Sequence, residues 1–115
     1  MDSMNALADK KCISCEGGMP PLSADAAGIL LRELDPAWTI VDGKKLRRAF
    51  RFGDFAAAMA FVNRVADIAQ REGHHPDLRI RYNRVTVELE THAIGGLSEN
   101  DFIVAAKIDG IGGKG

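Results

Sequence analysis

The sequence predicts an α+β fold, one four-stranded sheet with helices on one side. Three observations carry this expectation: the elements run in the order α-β-β-α-β-β-α, the strands group into two hairpins joined by a long helix, and the helices carry apolar stripes able to cover one sheet face. A chain of 115 residues is one domain, long enough to bury a hydrophobic core, and its 46% apolar and 27% charged residues exclude disordered and collagen-like classes. The net charge of −1 gives no general attraction to nucleic acid or anionic membrane, so neither is expected as a direct partner, although it is compatible with a local basic patch. No apolar run approaches the roughly 18 residues of a membrane span. Residues 1–21 lack a signal-peptide core, and Asp2, Asp9 and Glu16 are foreign to a transit peptide. The expectation is a soluble, cytoplasmic protein.

Residues 1–21 have no periodicity and end in Gly17-Gly18-Met19-Pro20-Pro21, which predicts an irregular arm. Within it, Cys12-x-x-Cys15 can be read as half a zinc site, a redox pair or a plain arm. The plain arm is the expectation, because no second Cys pair completes four zinc ligands and no helix follows the motif, leaving zinc sharing between subunits or a disulfide as alternatives. The domain proper is expected over residues 22–109. Ser23 as N-cap, Asp25 in the first turn and the spacing of Ile29, Leu30 and Leu34 predict a helix over 23–34, ended by Pro36. A short strand over 38–41, the turn dipeptide Asp42-Gly43 and a second strand over 45–52 form the first hairpin. In that second strand Leu46, Phe50 and Phe52 alternate with Arg47 and Arg51, while Arg48 breaks strict alternation.

Asp54 caps the longest helix, 55–72, whose face of Phe55, Met59, Val62, Ala66 and Ala69 is flanked by Ala58, Phe61, Val65 and Ile68. Gly73 and Pro76 mark its end. Leu78, Ile80 and Tyr82, then Val85, Val87 and Leu89, define two further amphipathic strands around a turn at Asn83-Arg84, with Tyr82 expected to pack. His92 continues the alternation of Glu88 and Glu90, so its ring should leave the apolar face unless the chain bends at Thr91. Ser98 as N-cap, Asp101 three residues on and the pair Leu97 and Phe102 open the last helix, expected to end near Lys107 or Ile108 before a glycine-rich tail over 110–115. The uncovered sheet face should carry many arginines and glutamates.

All three histidines lie at His74, His75 and His92. Histidine exchanges protons near neutral pH, so an adjacent pair on a loop and a third at a strand end amount to a proton-transfer set in outline. Each has a bland competitor: ordinary loop residues at 74 and 75, a surface residue at 92, and a simple capping acid at Asp101. No Cys or carboxylate stands at a metal-site spacing, so no metal is expected, and no Ser or Cys sits in a recognisable nucleophile context. General acid and base work is what this inventory supports best.

The spacing His74-His75-Pro76, five residues, Tyr82, nine residues, His92, eight residues, Asp101 resembles the signature of the pterin-4a-carbinolamine dehydratase family. Arg81-Tyr82-Asn83-Arg84-Val85, Glu90-Thr91-His92 and Gly96-Leu97-Ser98 are also similar to that family, and the resemblance spans residues 22–108. It implies a four-stranded antiparallel sheet with three helices packed on one face, and a homodimer or homotetramer. One position departs: where the family often has an acid four residues before His74, this chain has Gln70, with Glu72 offset. The Cys12-x-x-Cys15-Glu16-Gly17-Gly18 arm resembles that of a subset of the family.

The implied substrate is a 4a-hydroxytetrahydropterin, the carbinolamine left by aromatic amino acid hydroxylases. The implied reaction is its dehydration to quinonoid dihydropterin during recycling of a tetrahydrobiopterin-type cofactor. That chemistry needs a proton for the departing C4a hydroxyl and a base for the N5 proton, and no metal or redox cofactor. By resemblance His74 and His92 match the acid and base, in an order the sequence leaves open. His75 matches the histidine that holds substrate, with Pro76 and Asp101 at binding positions. The rival reading is a protein-binding module, since proteins of this fold also stabilise transcription-factor dimers or resemble Rubisco assembly chaperones.

Overall fold

The structure is a computed structural model that describes residues 6–13 and 20–112. Its elements are α1 (Ala6–Asp9), α2 (Ala24–Leu31), β1 (Thr39–Val41), β2 (Lys45–Arg51), α3 (Phe55–Glu72), β3 (Asp77–Arg81), β4 (Arg84–Leu89), a 3-10 turn at His92–Ile94 and α4 (Glu99–Gly112). Four antiparallel strands form one sheet in the order β1-β2-β4-β3. The α+β architecture is the expected one. Among the described residues no helix is long and apolar enough to cross a membrane.

Local chemistry explains the element boundaries. Ser23 accepts a hydrogen bond from the Ala26 amide, and Asp54 one from the Ala57 amide, so α2 and α3 begin where polar caps meet otherwise unpaired N–H groups. Asp42 and Gly43 both have positive φ, 55° and 68°, as a tight turn whose twist matches a hairpin requires. Gly73, at φ 65°, ends α3 in the left-handed conformation that glycine adopts without steric cost.

The core lies between the sheet and the helices, with Leu46, Val65, Val85, Val87, Leu89, Phe102, Val104 and Ile108 fully buried. On α3 the buried set is Ala58, Phe61, Val62, Val65, Ile68 and Ala69. The expected principal face is therefore turned: Phe55 is exposed, as is Ala66, because packing centres on the stripe beside it.

Alternation in β2 proves strict. Arg48 points inward and is buried, its guanidinium 2.7 Å from Asp109 and 4.3 Å from the centre of the Phe50 ring. A buried cation is tolerated only when paired. Asp109 also accepts from the Trp38 indole at 2.7 Å and the Asp35 amide at 3.0 Å, which ties α4 to the chain between α2 and β1. These bonds explain why α4 runs to Gly112, into the stretch expected as a tail; residues 113–115 lie outside the described residues.

Two other expectations change. Tyr82 does not pack: it sits at φ 52° in the β3–β4 turn, 66% exposed, and a left-handed residue cannot continue the pleat. The turn is thus Tyr82-Asn83, with Arg84 already in β4. Part of the arm is ordered as α1, whose Leu7 is buried, while Lys107 Nζ donates to the Ala8 carbonyl at 2.6 Å. A four-residue helix is too short to show a sequence period.

Further along the arm the Cys12 amide donates to Glu72 Oε1 at 2.9 Å, and this bond chiefly holds the Glu72 carboxyl below its usual range. A carboxylate with a lowered folded-state pKa stabilises above its unfolded value, about 4.3, and loses that contribution as pH falls through the lowered one. The Cys12 amide resonance is accordingly expected to hold steady from pH 7 to 5 and to shift below about pH 4, as Glu72 takes up a proton and this tie of the arm weakens. A titration followed by NMR checks it.

Candidate active site

The αL stop at Gly73 reverses the chain after α3 and delivers His74 and His75 beside the end of β4. The His74 amide remains tied to the helix by donating to the Ala69 carbonyl at 3.3 Å. Its ring, only 13% exposed, donates from Nε2 to Asp101 Oδ1 at 2.5 Å. A carboxylate can only accept, so this bond places the ring proton on Nε2 and leaves Nδ1 as the atom able to exchange a proton with a ligand.

Asp101 stands in the first turn of α4 with no solvent exposure. Besides His74 it accepts from the Thr91 hydroxyl at 2.8 Å and from the Ser98 amide at 3.0 Å, both at Oδ2. Three donors meet the demand of a buried carboxylate, which would otherwise be costly. The Thr91 hydroxyl has one proton, already given to Asp101, so it accepts from the Ser98 hydroxyl at 2.8 Å. The bond from the Ser98 amide is the capping-box bond expected from sequence, and the same carboxylate also holds the imidazole. Thr91 is a contributor that the sequence did not mark, because a lone Thr at a strand end carries no pattern.

β4 ends at Leu89, and the bridge between Thr91 and Gly96 closes a small loop containing the 3-10 turn. His92 opens that turn with its ring 77% exposed and Nε2 4.0 Å from Glu90 Oε2. His75, also exposed, meets Gln70 Oε1 at 2.8 Å through Nε2. Gln70, four residues before His74, therefore supplies a neutral acceptor. All three histidines line one cleft of about 330 Å³, together with Glu90, Thr91, Asn100 and Ile13. Asp101 stands behind His74, while Pro76 turns the chain towards β3 and is not part of the lining.

Asp77, Glu90 and His92 bring possible ligand atoms within 4.8 Å of one another. Donors on a tetrahedral zinc ion at about 2.1 Å lie roughly 3.4 Å apart, so this cluster is looser than a metal cage, and Lys45 Nζ already stands 3.9 Å from Glu90. Cys12 is half-buried, its thiol 3.7 Å from the Asn100 carbonyl and pushed up to about 12 by burial and by the Glu72 and Asp101 charges. That environment disfavours the thiolate needed for redox or metal chemistry; Cys15 lies outside the described residues. In a Cys15→Ser variant, Cys12 is expected to alkylate about 10²-fold more slowly than free cysteine at pH 8, which mass spectrometry of timed samples measures.

Fold and cleft together define an α+β protein in which a buried carboxylate holds one of three histidines gathered at a single cleft. The chain belongs to the Pterin 4 alpha carbinolamine dehydratase family, whose model matches residues 20–111. It is 54% identical over 107 residues to a Nitrosospira multiformis protein and 50% identical over 109 residues to one from Nitrosomonas eutropha, both provisionally named pterin-4-alpha-carbinolamine dehydratase. These matches cover 93% of each chain in the first case, and 95% of this chain and 96% of the relative in the second. Among solved structures, the transcriptional coactivator/pterin dehydratase from Brucella melitensis superposes with a TM-score of 0.75 at 38% identity, over 80% of this chain and 98% of that one. A pterin dehydratase-like protein identified as a RuBisCO assembly factor in the alpha-carboxysome shares the fold at a TM-score of 0.55 and 24% identity, over 64% of this chain and 87% of that one.

Proposed function

We propose that the protein dehydrates 4a-hydroxytetrahydropterin to quinonoid dihydropterin and water, in the recycling of a tetrahydrobiopterin-type cofactor. The observation that carries this reading is the convergence of His74, His75 and His92 on one cleft, with His74 held by the buried Asp101. Family membership and relatives at 50% identity and above support it.

In the reaction the N5–H bond breaks, its electron pair forms the N5=C4a double bond, and the C4a hydroxyl leaves as water after gaining a proton. Nδ1 of His74 takes the N5 proton, because Asp101 fixes the tautomer and stabilises the imidazolium that forms. His92 delivers a proton to the departing hydroxyl, and its exposed ring recovers one from bulk water. Each transfer is worth about 10²–10⁴-fold in rate. His75, anchored by Gln70, holds the substrate, with Pro76 shaping the loop that carries it. No metal or redox cofactor takes part in this scheme. The setting is the cytoplasm, and the active form is a homodimer or homotetramer, a reading supported by exposed Phe55 and Ile29.

Stopped-flow absorbance on chemically prepared carbinolamine tests the reading: decay well above the spontaneous rate is expected, and decay at the spontaneous rate would overturn it. A second reading, as a protein-binding module, is favoured by the Brucella structure being described as a transcriptional coactivator as well as a pterin dehydratase. A specific partner retained in a pull-down, with no dehydration above background, would select it instead.

A further inference from the structure

The N-terminal arm reaches the histidine cleft at Ile13, where its backbone is held in a fixed position. Asn100 grips Ile13 at both backbone groups: Oδ1 accepts from the Ile13 amide at 3.0 Å, and Nδ2 donates to the Ile13 carbonyl at 2.5 Å. Next to it the Cys12 amide is bound to Glu72, and at the far end Leu7 is buried while Lys107 holds the Ala8 carbonyl. The backbone of residue 13 is thus fixed, yet its side chain is left 71% exposed, lining the cleft with His74 and His92. The clamp on its backbone thus fixes where this side chain stands on the cleft wall.

We propose that Ile13 is a substrate-positioning residue whose side chain packs on one face of the pterin ring; this rests on the dehydratase reading of the same cleft. The pyrimidinone half of the substrate is close to planar, with polar edges and a face open to apolar contact. The cleft answers the edges with imidazoles and Glu90, and Ile13 adds a large aliphatic side chain to its wall. Asn100 precedes Asp101, so the first turn of α4 fixes both the apolar wall and the carboxylate behind His74. The arm therefore sets where the ring lies relative to the proton-transfer groups.

Steady-state dehydration by the full chain tests the proposal. Ile13→Ala is expected to raise KM about 5–10-fold with kcat held within about twofold, and Ile13→Leu to restore most of the affinity. Asn100→Ala, which releases the clamp, is expected to raise KM alike and to add little in the Ile13→Ala background, since both act through one contact. An unchanged KM in Ile13→Ala, with wild-type dehydration intact, would overturn the role of the arm alone. Absence of wild-type dehydration would overturn the dehydratase reading and this proposal with it. Because Ile13 is exposed, Ile13→Ala is expected to fold, which circular dichroism checks; should Asn100→Ala unfold, the Ile13 pair still decides.

Discussion

Asp101→Asn is expected to lower the dehydration rate about 10²–10⁴-fold while keeping the fold. The reason lies in how the two carboxylate oxygens are used. Oδ2 accepts from Thr91 and from the Ser98 amide, so the oxygen of an Asn side chain will settle there, and its NH₂ group will take the place of Oδ1 opposite His74. An N–H then faces Nε2, which must accept, and the ring proton moves to Nδ1. The atom proposed as the base is now protonated in the neutral ring. The comparable exchange in a serine-protease triad costs about 10⁴-fold for the same tautomeric reason. Stability should fall by only about 1–2 kcal/mol, since the two bonds at Oδ2 survive. Ring ¹⁵N NMR of His74 reads the tautomer directly, and a wild-type rate in Asp101→Asn would contradict the role given to Nδ1.

His74→Ala and His92→Ala are both expected to lose about 10²–10⁴-fold in rate, with different consequences for stability. Removing His74 takes one of three donors from a carboxylate with no solvent exposure, which costs about 1–3 kcal/mol. His92 has a ring 77% exposed and one loose contact with Glu90, so its loss should leave unfolding within about 0.5 kcal/mol of wild type. Urea denaturation beside the rate measurement separates the two. Equal stability losses would mean that His92 has a structural role the geometry does not give it.

What sequence made legible was local. Asp42-Gly43, the Asp54 cap and the Gly73 stop each act on a few neighbouring residues, and each does so in the structure. The spacing of the histidines was legible for the same reason, because a helix stop and a strand run fix where they emerge. Non-local pairing was hidden. Arg48 broke the alternation in sequence because its partner Asp109 lies 61 positions away, and only the fold joins them. Leu7 and Ile13 belonged to a stretch without periodicity, where docking depends on single contacts with α3 and α4. Asp101 was legible as a capping acid and, by resemblance, as a site residue. That one carboxylate both takes the Ser98 amide at the start of α4 and holds the His74 ring, with Thr91 in support, became visible only from the distances.

The most direct test of the central claim is stopped-flow dehydration of the carbinolamine by wild type, His74→Ala and His92→Ala side by side, with the spontaneous rate subtracted. A large loss in both variants, with circular dichroism unchanged in each, is the predicted result. Rates equal to wild type in both would contradict the account.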